Sequence, residues 1–275
     1  MSHNRTPHKI AIIGRGAIAS LVMRHIQSDA RFKVALVLQP GRPAPDAASA
    51  EGLTVLFGLD SLLAWQPTLV IEAASKSALQ AYAAPCLAAG ISVIASSVGA
   101  LADADLYAHL HDAAITGHSK LILPSGAVGA LDYLSATRFA NQTGGSATRI
   151  VYESRKPPTA WHDVLVERGL PLKPDAPITL FEGSAREAAK LFPQNLNVAA
   201  TIALAGVGME DTQVSVIVDP AVTGNMHTLR ATGAFGNMSA QMVNRPAPTN
   251  PKTSWVVGLS VIAAFERYFA AIVVG

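Results

Sequence analysis

The first residues with recognisable chemistry form a glycine-rich turn near the N-terminus. Gly14, Gly16 and Ala19 have the spacing G-x-G-x-x-A directly after an apolar run. In such a turn the first glycine permits a tight bend, the second lets the backbone approach a pyrophosphate, and the alanine lets the following helix pack on the strand. The beginning of that helix offers free N–H groups to phosphates. The pattern therefore predicts a dinucleotide-binding site in which Gly14, Gly16, Ala17 and Ile18 contact the cofactor.

The residue expected to meet the ribose of a dinucleotide is not the usual acid. Folds of this type carry Asp or Glu at the end of the second strand, where the carboxylate binds the ribose 2′-hydroxyl of NAD. Here that strand ends at Leu38 and Gln39, and Arg42 follows. The Gln39 amide can still bind a hydroxyl, whereas Arg42 is either a partner for a 2′-phosphate or a solvated loop charge. The sequence predicts Gln39 as a cofactor contact and leaves NAD and NADP both open.

Polar residues also follow two later apolar runs of the same half of the chain. Ser75 and Lys76 come after TLVIEAA, and Ser97 comes after ISVIAS. Ligands of open α/β sheets bind beyond the carboxyl ends of the strands. We therefore expect these residues to line the nicotinamide site, with Ser75 as a candidate substrate contact.

One of the eight histidines lies in a pattern that bears on proton transfer. His227 follows Gly224-Asn225, and period-2 alternation places it on the same strand face as Leu229 and Ala231. The pattern alone leaves two interpretations open, a structural histidine in the core and a group that transfers a proton near neutral pH.

An alternation of strands and helices over the first half of the chain must position the glycine turn. Apolar runs alternate with helical stretches, and these runs are KIAIIG, FKVALVL, a short LTVLF, TLVIEAA, ISVIAS and KLILP. Such alternation predicts parallel strands joined by crossover helices, and continuously apolar strands predict a sheet covered on both faces. We therefore predict an α/β fold in which residues 1–123 form a Rossmann domain with a doubly wound parallel sheet.

The pattern changes after Pro124 to longer strands with polar alternation. These are TRIVYES, PITLFEG, TQVSVIVD, MHTLRATGAF and MSAQMVN, interrupted by two helices. Ser184 and Glu187 have the spacing of a capping box for the first helix, and the second is expected at Leu196–Ala205. We predict an α+β domain, with an antiparallel or mixed sheet, over residues 124–249.

A last helix is expected at the C-terminus. Asn250 is a suitable N-cap, and Pro251 would lie in the first turn, where proline costs no hydrogen bond. We predict that this helix, residues 251–275, packs back on the Rossmann domain.

Composition argues against several classes of partner. The formal net charge is +2 without a Lys/Arg block, which predicts neither a nucleic acid nor an anionic membrane as partner. The apolar C-terminal stretch is interrupted by Glu266 and Arg267 and is shorter than the roughly 20 residues of a membrane span. Cys86 is the single cysteine, and no ligand spacing predicts a metal. We expect a cytoplasmic protein that binds small molecules.

Several segments beyond the glycine turn resemble the signature segments of L-aspartate dehydrogenases, in that family's order and over most of the chain. They are Leu123-Pro124-Ser125-Gly126-Ala127-Val128-Gly129, Arg155-Lys156-Pro157-Pro158, Phe192-Pro193-Gln194-Asn195-Leu196-Asn197-Val198-Ala199-Ala200-Thr201, Asn225-Met226-His227 and Asn250-Pro251-Lys252-Thr253-Ser254-Trp255.

The resemblance implies NAD- or NADP-dependent oxidative deamination of L-aspartate to iminoaspartate. Iminoaspartate then hydrolyses to oxaloacetate and ammonia or supplies NAD biosynthesis. The resemblance also implies that the α+β domain is the catalytic and oligomerisation domain and that the chain forms a homo-oligomer. The long strands of this domain favour a dimer formed through its sheet. The family's catalytic histidine matches His227. The family's cofactor contacts match Asn197 and Ala127, and Ala130 is the alternative to Ala127. For Asn195, helix capping and a functional role both remain open.

A substrate with two carboxylates should meet fixed cations or N–H donors. Lys252 is the main candidate for such a cation, and Arg155 and Lys156 are alternatives. Each of the three could instead be a solvated charge at the end of a helix or strand. The rival interpretations are a homoserine dehydrogenase-like or dihydrodipicolinate reductase-like enzyme of the same build, and a dinucleotide sensor without catalysis.

Overall fold

The chain folds into two compact units. The computed structural model describes residues 6–39, 53–140, 147–192, 197–247 and 250–274, with residues 250–252 described by their backbone alone. The first unit comprises Met1–Pro124 with Gly258–Val273, and the second comprises Ser125–Val257 with Val274–Gly275. The change of unit after Pro124 lies beside the change of sequence pattern.

The first unit contains a six-stranded sheet whose paired strands are all parallel. Its strands are β1 (His8–Ile13), β2 (Phe32–Leu38), β3 (Thr54–Phe57), β4 (Leu69–Glu72), β5 (Ser92–Ala95) and β6 (Leu121–Ile122). The order β3-β2-β1-β4-β5-β6 is that of a doubly wound dinucleotide-binding fold. The predicted Rossmann architecture is confirmed. Its topological switch point lies between β1 and β4, where ligands of such sheets bind.

Helices between these strands cover the sheet. They are α1 (Ala17–Gln27), α2 (Gly58–Trp65), α3 (Lys76–Ala88) and α4 (Ala104–Thr116), with a short 3₁₀ helix at Val98–Ala102. The sequence analysis did not predict α2. That helix has a single buried residue, Leu62, so its sequence has no clear apolar stripe. It begins at Gly58 without a polar N-cap, so the usual start signal is also missing.

The C-terminal helix begins later than predicted. Asn250–Ser254 is a strand, β13, which pairs with β12 (Pro246–Ala247), and the helix, α9, spans Trp255–Phe269. The prediction of a helix over residues 251–275 was therefore wrong at both ends. Pro251 also fits a short two-stranded sheet, because an edge strand tolerates the missing N–H of proline. The Asn250-Pro251 pair is therefore compatible with either a helix start or a strand.

The later part of α9 packs into the core of the first unit, as predicted. Val261, Ala264 and Phe265 are buried in one cluster with Ile10 of β1 and Val22 of α1. The rings of Phe32 and Phe265 meet edge to face with centroids 4.9 Å apart. Aromatic and aliphatic burial of this kind holds the C-terminal segment on the sheet.

The second unit contains a mixed five-stranded sheet. Its strands are β7 (Arg149–Lys156), β8 (Ile178–Ser184), β9 (Thr212–Val218), β10 (Asn225–Gly233) and β11 (Gly236–Asn244), in the order β11-β10-β7-β9-β8. The β7–β9 pair is parallel and the other pairs are antiparallel. The five strands predicted from the sequence are confirmed.

Four helices accompany this sheet within the described residues, where the sequence analysis predicted two. They are α5 (Leu131–Thr137), α6 (His162–Glu167), α7 (Ala185–Leu191) and α8 (Asn197–Ala205). The capping box of Ser184 and Glu187 at the beginning of α7 is confirmed. The missed helices, α5 and α6, have fewer than eight residues each, too short for a periodic pattern.

Candidate active site

The glycine turn after β1 has the geometry that its spacing predicted. Gly14 has φ +122°, and a Cβ there would lie 2.4 Å from the Ala73 carbonyl oxygen, so only glycine fits. Gly16 precedes α1, and a Cβ added to it would meet no atom within 4 Å. The missing side chain of Gly16 thus leaves open space in front of a helix N-terminus, which suits a phosphate group.

A cavity of about 330 Å³ lies at this turn. Three short segments line it: Gly14 to Gly16, Val37 to Gln39 and Ala73 to Ser75. The structure therefore brings together Gly14, Gly16, Gln39 and Ser75. Ala17 and Ile18 are the first two residues of α1, directly behind the turn.

Gln39 follows β2 and lines this cavity, as expected for a residue that meets the ribose. It lies at the edge of the described residues, and Arg42, the alternative partner for a 2′-phosphate, lies outside them. Lys76, in contrast, is exposed at the beginning of α3.

A buried carboxylate, Glu72, organises the loops at this edge of the sheet. One oxygen, Oε1, accepts the backbone N–H groups of Ala74 and Ser75 at 2.8 and 2.9 Å and the Ser97 hydroxyl at 2.9 Å. The other, Oε2, accepts the Ser97 N–H at 3.0 Å. Burial raises the pKa of Glu72, opposed by these hydrogen bonds. Glu72 thus joins the loops after β4 and β5, which carry the predicted site residues Ser75 and Ser97.

Ser75 also has a structural role. Its hydroxyl caps α3 by accepting the Ala78 N–H at 3.2 Å, and it lies 2.9 Å from the Ser77 hydroxyl. Ser75 therefore lines the cavity, but its hydroxyl already accepts a hydrogen bond at the N-terminus of α3.

His227 lies on the buried face of β10, with 3% of its surface exposed. The predicted face is confirmed, since Leu229 and Ala231 beside it are fully buried. Its Nδ1 is 2.7 Å from the Tyr152 hydroxyl of β7, and the two rings stack at 6.0 Å with an angle of 12°. Its Nε2 is buried and has no hydrogen-bond partner within the described part of the chain.

The surroundings of His227 keep its imidazole neutral. Burial, together with the charge of Lys156, lowers the pKa of His227 to about 4. Burial also raises the pKa of the Tyr152 phenol, so that this hydroxyl keeps its proton. A neutral imidazole with a free, buried nitrogen can accept a proton or a hydrogen bond from a ligand.

The neighbouring cations Arg155 and Lys156 differ in how deeply they are buried. Arg155 donates to Glu153 at 2.7 Å and to Asp219 at 2.9 Å, so its charge is neutralised by protein carboxylates. Lys156 is 5% exposed, and its Nζ lies 5.3 Å from the centre of the Trp161 ring. Burial lowers the pKa of Lys156 to about 8. Lys156 is therefore not the solvated charge that its position at a strand end allowed.

Ala127 lies over the same sheet face as His227. Its carbonyl accepts the Asn244 side-chain N–H at 2.7 Å. Asn244 is the register partner of Asn225, which precedes His227 by two residues and so shares its face. Ala130, the other position considered, instead precedes α5 with φ +62°.

Asn197 is the first described residue of α8, and the residues directly before it lie outside the described part of the chain. The other end of α8 lies at Gly206, against the Ile150 side chain at the beginning of β7. Asn195 lies outside the described residues, and so does the side chain of Lys252, whose backbone is part of β13.

The sequence analysis missed Glu72, beside the cavity of the first unit, and Tyr152, beside His227 in the second unit. A signal existed for Glu72, since it is a charged residue in a strand that is otherwise apolar. Tyr152 carried a weaker signal, because only its period-2 alternation with Lys156 places it on a common face. The pairing of β7 with β10, which brings Tyr152 to His227, has no local signature in the sequence.

The described residues lack both a metal-binding cluster and a membrane-spanning helix. Residues 6–39, 53–140, 147–192, 197–247 and 250–274 contain no cluster of three or more His, Cys, Asp or Glu side chains suited to a metal ion. Over the same ranges, no helix combines the length and the apolar character needed to cross a membrane.

Comparison with known families matches both units. A family model described as aspartate dehydrogenase, C-terminal, matches residues 137–268. A model described as homoserine dehydrogenase, NAD binding domain, matches residues 14–124.

Curated relatives are similar over nearly the whole chain. L-aspartate dehydrogenase 2 of Bordetella pertussis is 45% identical over 98% of this chain and 99% of its own length. L-aspartate dehydrogenase of Ruegeria pomeroyi is 42% identical over 96% of this chain and 94% of its own.

Solved structures have the same architecture. Aspartate dehydrogenase from Thermotoga maritima superposes with a TM-score of 0.73 at 26% identity, covering 98% of this chain and 100% of that one. A hyperthermophilic archaeal homoserine dehydrogenase has a TM-score of 0.56 at 11% identity, covering 95% of this chain and 97% of its own, which shows the fold alone. On the strength of the full-length relatives, this chain belongs to the L-aspartate dehydrogenase family.

Proposed function

We propose that this chain catalyses the NAD- or NADP-dependent oxidation of L-aspartate at its α-carbon. The amino group loses a proton, the α-carbon loses a hydride, and the product is iminoaspartate, which water converts to oxaloacetate and ammonia. The proposal rests on one observation in a chain of this family: the Nε2 of His227 is buried and has no hydrogen-bond partner among the described residues. A buried nitrogen of this kind is costly unless a ligand satisfies it.

His227 is the proposed catalytic residue. It acts at Nε2, where it accepts a proton from the substrate amine or orients the water that attacks the imine. Either role requires the lone pair on Nε2, which places the ring proton on Nδ1, from where it donates to the Tyr152 oxygen. Tyr152 is therefore a positioning residue, since it fixes the tautomer and the ring orientation of the catalytic group.

The residues at the glycine turn fit a dinucleotide cofactor. Gly14 forms the bend, Gly16 leaves space for the pyrophosphate, and Ala17 and Ile18 offer N–H groups at the beginning of α1. When bound, the nicotinamide supplies the hydride acceptor. Ala127 and Asn197 are proposed as further cofactor contacts on the family resemblance. Ser75, because it follows β4 at the edge where ligands bind, and Lys252, because it is a cation, are proposed as substrate contacts.

The cofactor preference is tested at Gln39. A neutral amide at the ribose neither attracts nor repels a 2′-phosphate, so we expect activity with both NAD and NADP. Gln39→Asp should retain NAD activity and lose NADP activity by at least about tenfold, because a carboxylate repels the phosphate. The measurement is kcat/KM for each cofactor, with Asp29→Asn, on the surface of the same unit, as the control. Unchanged NADP use in Gln39→Asp would remove Gln39 from the ribose site.

The proposed reaction is tested by following NADH and NADPH formation at 340 nm. The substrates are L-aspartate, D-aspartate, L-glutamate, L-homoserine and a cyclic imine, with wild type and His227→Ala. Turnover of L-aspartate that His227→Ala abolishes supports the proposal. Turnover of homoserine or the cyclic imine instead would favour the rival enzymes, and cofactor binding without any turnover would favour a sensor.

The remaining expectations concern assembly and setting. We propose a homodimer, supported by β11, which lies at the edge of its sheet and exposes Val243. Light scattering coupled to gel filtration measures the mass. A cytoplasmic location and a supply of iminoaspartate to NAD biosynthesis remain predictions.

A further inference from the structure

We propose that Glu72 is a positioning residue of the cofactor site, which sets the affinity for NADH by holding two loops of the first unit in their binding arrangement. Its own side chain is buried and is not among the residues that line the cavity, so it acts through backbone groups of its neighbours. The inference rests on the cofactor site proposed above. It adds a residue that neither the glycine pattern nor the family resemblance assigns.

The location of Glu72 is the first step of the argument. It is the last residue of β4, it is 1% exposed, and its register partner on β1 is Ile13, the residue before the glycine turn. On its other side Glu72 pairs with Ala95, the last residue of β5. Glu72 therefore lies at the carboxyl ends of three neighbouring strands, at the edge of the sheet where ligands of such folds bind.

The carboxylate of Glu72 binds donors from two separate loops. In the loop after β4, Oε1 accepts the successive N–H groups of Ala74 and Ser75 at 2.8 and 2.9 Å. In the loop after β5, Oε1 accepts the Ser97 hydroxyl at 2.9 Å and Oε2 accepts the Ser97 N–H at 3.0 Å. One side chain thus fixes both loops relative to β4.

These four hydrogen bonds suit a carboxylate and not its amide isostere. All four partners donate, and an ionised carboxylate offers acceptors at both of its oxygens. A glutamine presents an NH₂ group at one of the two positions. That group faces either the Ser97 N–H or the N–H groups of Ala74 and Ser75, which then lose their acceptor. The charge of Glu72 is therefore tied to the arrangement of the loops and not to packing alone.

The loop that follows Glu72 forms part of the wall of the cofactor cavity. Ala73, Ala74 and Ser75 line this cavity together with the glycine turn. The Ala73 carbonyl oxygen is so close to the turn that a Cβ on Gly14 would lie 2.4 Å from it. A loop released from Glu72 changes the width of the cavity at the turn. Holding the loop in place before the cofactor arrives removes the cost of ordering it from the free energy of binding.

NADH fluorescence titration of Glu72→Gln tests the inference, because binding needs no turnover of L-aspartate. The change keeps the size of the side chain and replaces one acceptor by a donor. We expect NADH affinity to fall by at least about tenfold. The matched control is Ser92→Ala, which removes a buried hydroxyl that accepts the Lys120 N–H at 3.1 Å at the opposite end of β5. Ser92→Ala should lower the melting temperature and leave NADH affinity within about twofold.

Steady-state kinetics separate positioning from general destabilisation. In Glu72→Gln the KM for NAD should rise by about tenfold or more. The kcat at saturating NAD should stay within about threefold of wild type, because the bound cofactor restores the arrangement of the loops. Two outcomes would overturn the inference: wild-type NADH affinity in Glu72→Gln, or an equal loss of NADH affinity in Glu72→Gln and Ser92→Ala.

Hydrogen exchange in the wild type is a second test, which applies even if Glu72→Gln does not fold. The N–H groups of Ala74, Ser75 and Ser97 should exchange slowly in the cofactor-free protein, although they lie in loops, because Glu72 already binds them. Rapid exchange that slows only when NADH binds would mean that the cofactor orders the loops, and would reject the inference. A wild type that binds NADH without oxidising L-aspartate would reject the proposed function alone.

Discussion

The proposed chemistry of the second unit depends on the pair of His227 and Tyr152, whose side chains are 2.7 Å apart. The sequence placed His227 on a buried strand face, and the structure confirms that face. Alternation along a single strand does not reveal a partner on another strand, since β7 and β10 are separated by about 70 residues and two further strands. For this reason the pattern alone favoured a structural histidine and left a catalytic one open.

Replacing Tyr152 by Phe tests the pair at the residue scale. The change keeps the ring stacked on His227 but leaves Nδ1 buried without its hydroxyl partner. We expect kcat for L-aspartate to fall by about tenfold or more with a smaller change in KM, because the tautomer and orientation of the catalytic ring are lost. The unfolding free energy should fall by about 1–3 kcal/mol.

Steady-state kinetics and urea unfolding measure these two effects. Tyr133→Phe is the matched control, since Tyr133 is 39% exposed in the same unit. Equal kcat values for Tyr152→Phe and Tyr133→Phe would show that the hydroxyl does not position His227.

At the scale of elements, the cofactor site depends on the ends of strands and the beginning of one helix. The glycine spacing predicted the turn correctly because its requirements are local: one residue with positive φ and one without a side chain. Glu72 was missed because its role depends on the loop after β5, about 25 residues away, which it joins to the loop after β4. The Asn250-Pro251 signal failed for a related reason, since β12 offered that segment a strand partner.

The two glycines of the turn should respond differently to alanine. Gly14→Ala places a Cβ 2.4 Å from the Ala73 carbonyl oxygen at a φ that alanine avoids, so the first unit should be destabilised by several kcal/mol. Gly16→Ala meets no protein atom, so its stability should change by less than about 1 kcal/mol. Its Cβ instead occupies the space proposed for the pyrophosphate, and NADH affinity should fall by about tenfold or more.

Thermal unfolding and NADH fluorescence titration distinguish the two variants, and each is the control for the other. If Gly16→Ala binds NADH with wild-type affinity, the pyrophosphate does not bind at the glycine turn.

At the scale of the whole molecule, the sequence contained enough to predict two units but not their full extent. The change from continuously apolar to alternating strands after Pro124 reflects a change from a sheet covered on both faces to one with an open face. A C-terminal helix on the first unit was expected, and Gly258–Val273 belongs to that unit, although the helix itself begins and ends elsewhere than expected. The order of the five strands in the second sheet was not predicted, since it depends on long-range pairing that periodicity does not encode.

Stability should depend on pH through the buried base of the second unit. The pKa of His227 is about 4 in the folded chain and about 6.5 in an unfolded one. Between these values the unfolded chain binds more protons, so unfolding becomes easier as pH falls. The stability that neutral His227 provides is complete above pH 6.5 and is lost as pH falls towards 4, by at most about 3 kcal/mol.

Urea unfolding at pH values from 7 to 4, for wild type and His227→Gln, isolates this contribution. Glu187 and Glu72, whose pKa values shift in opposite directions, affect both proteins equally, so they cancel in the difference. Wild type should lose stability more steeply than His227→Gln between pH 6.5 and 4. Parallel curves would mean that His227 is solvated in the folded chain, which would also remove the main argument that its Nε2 awaits a ligand.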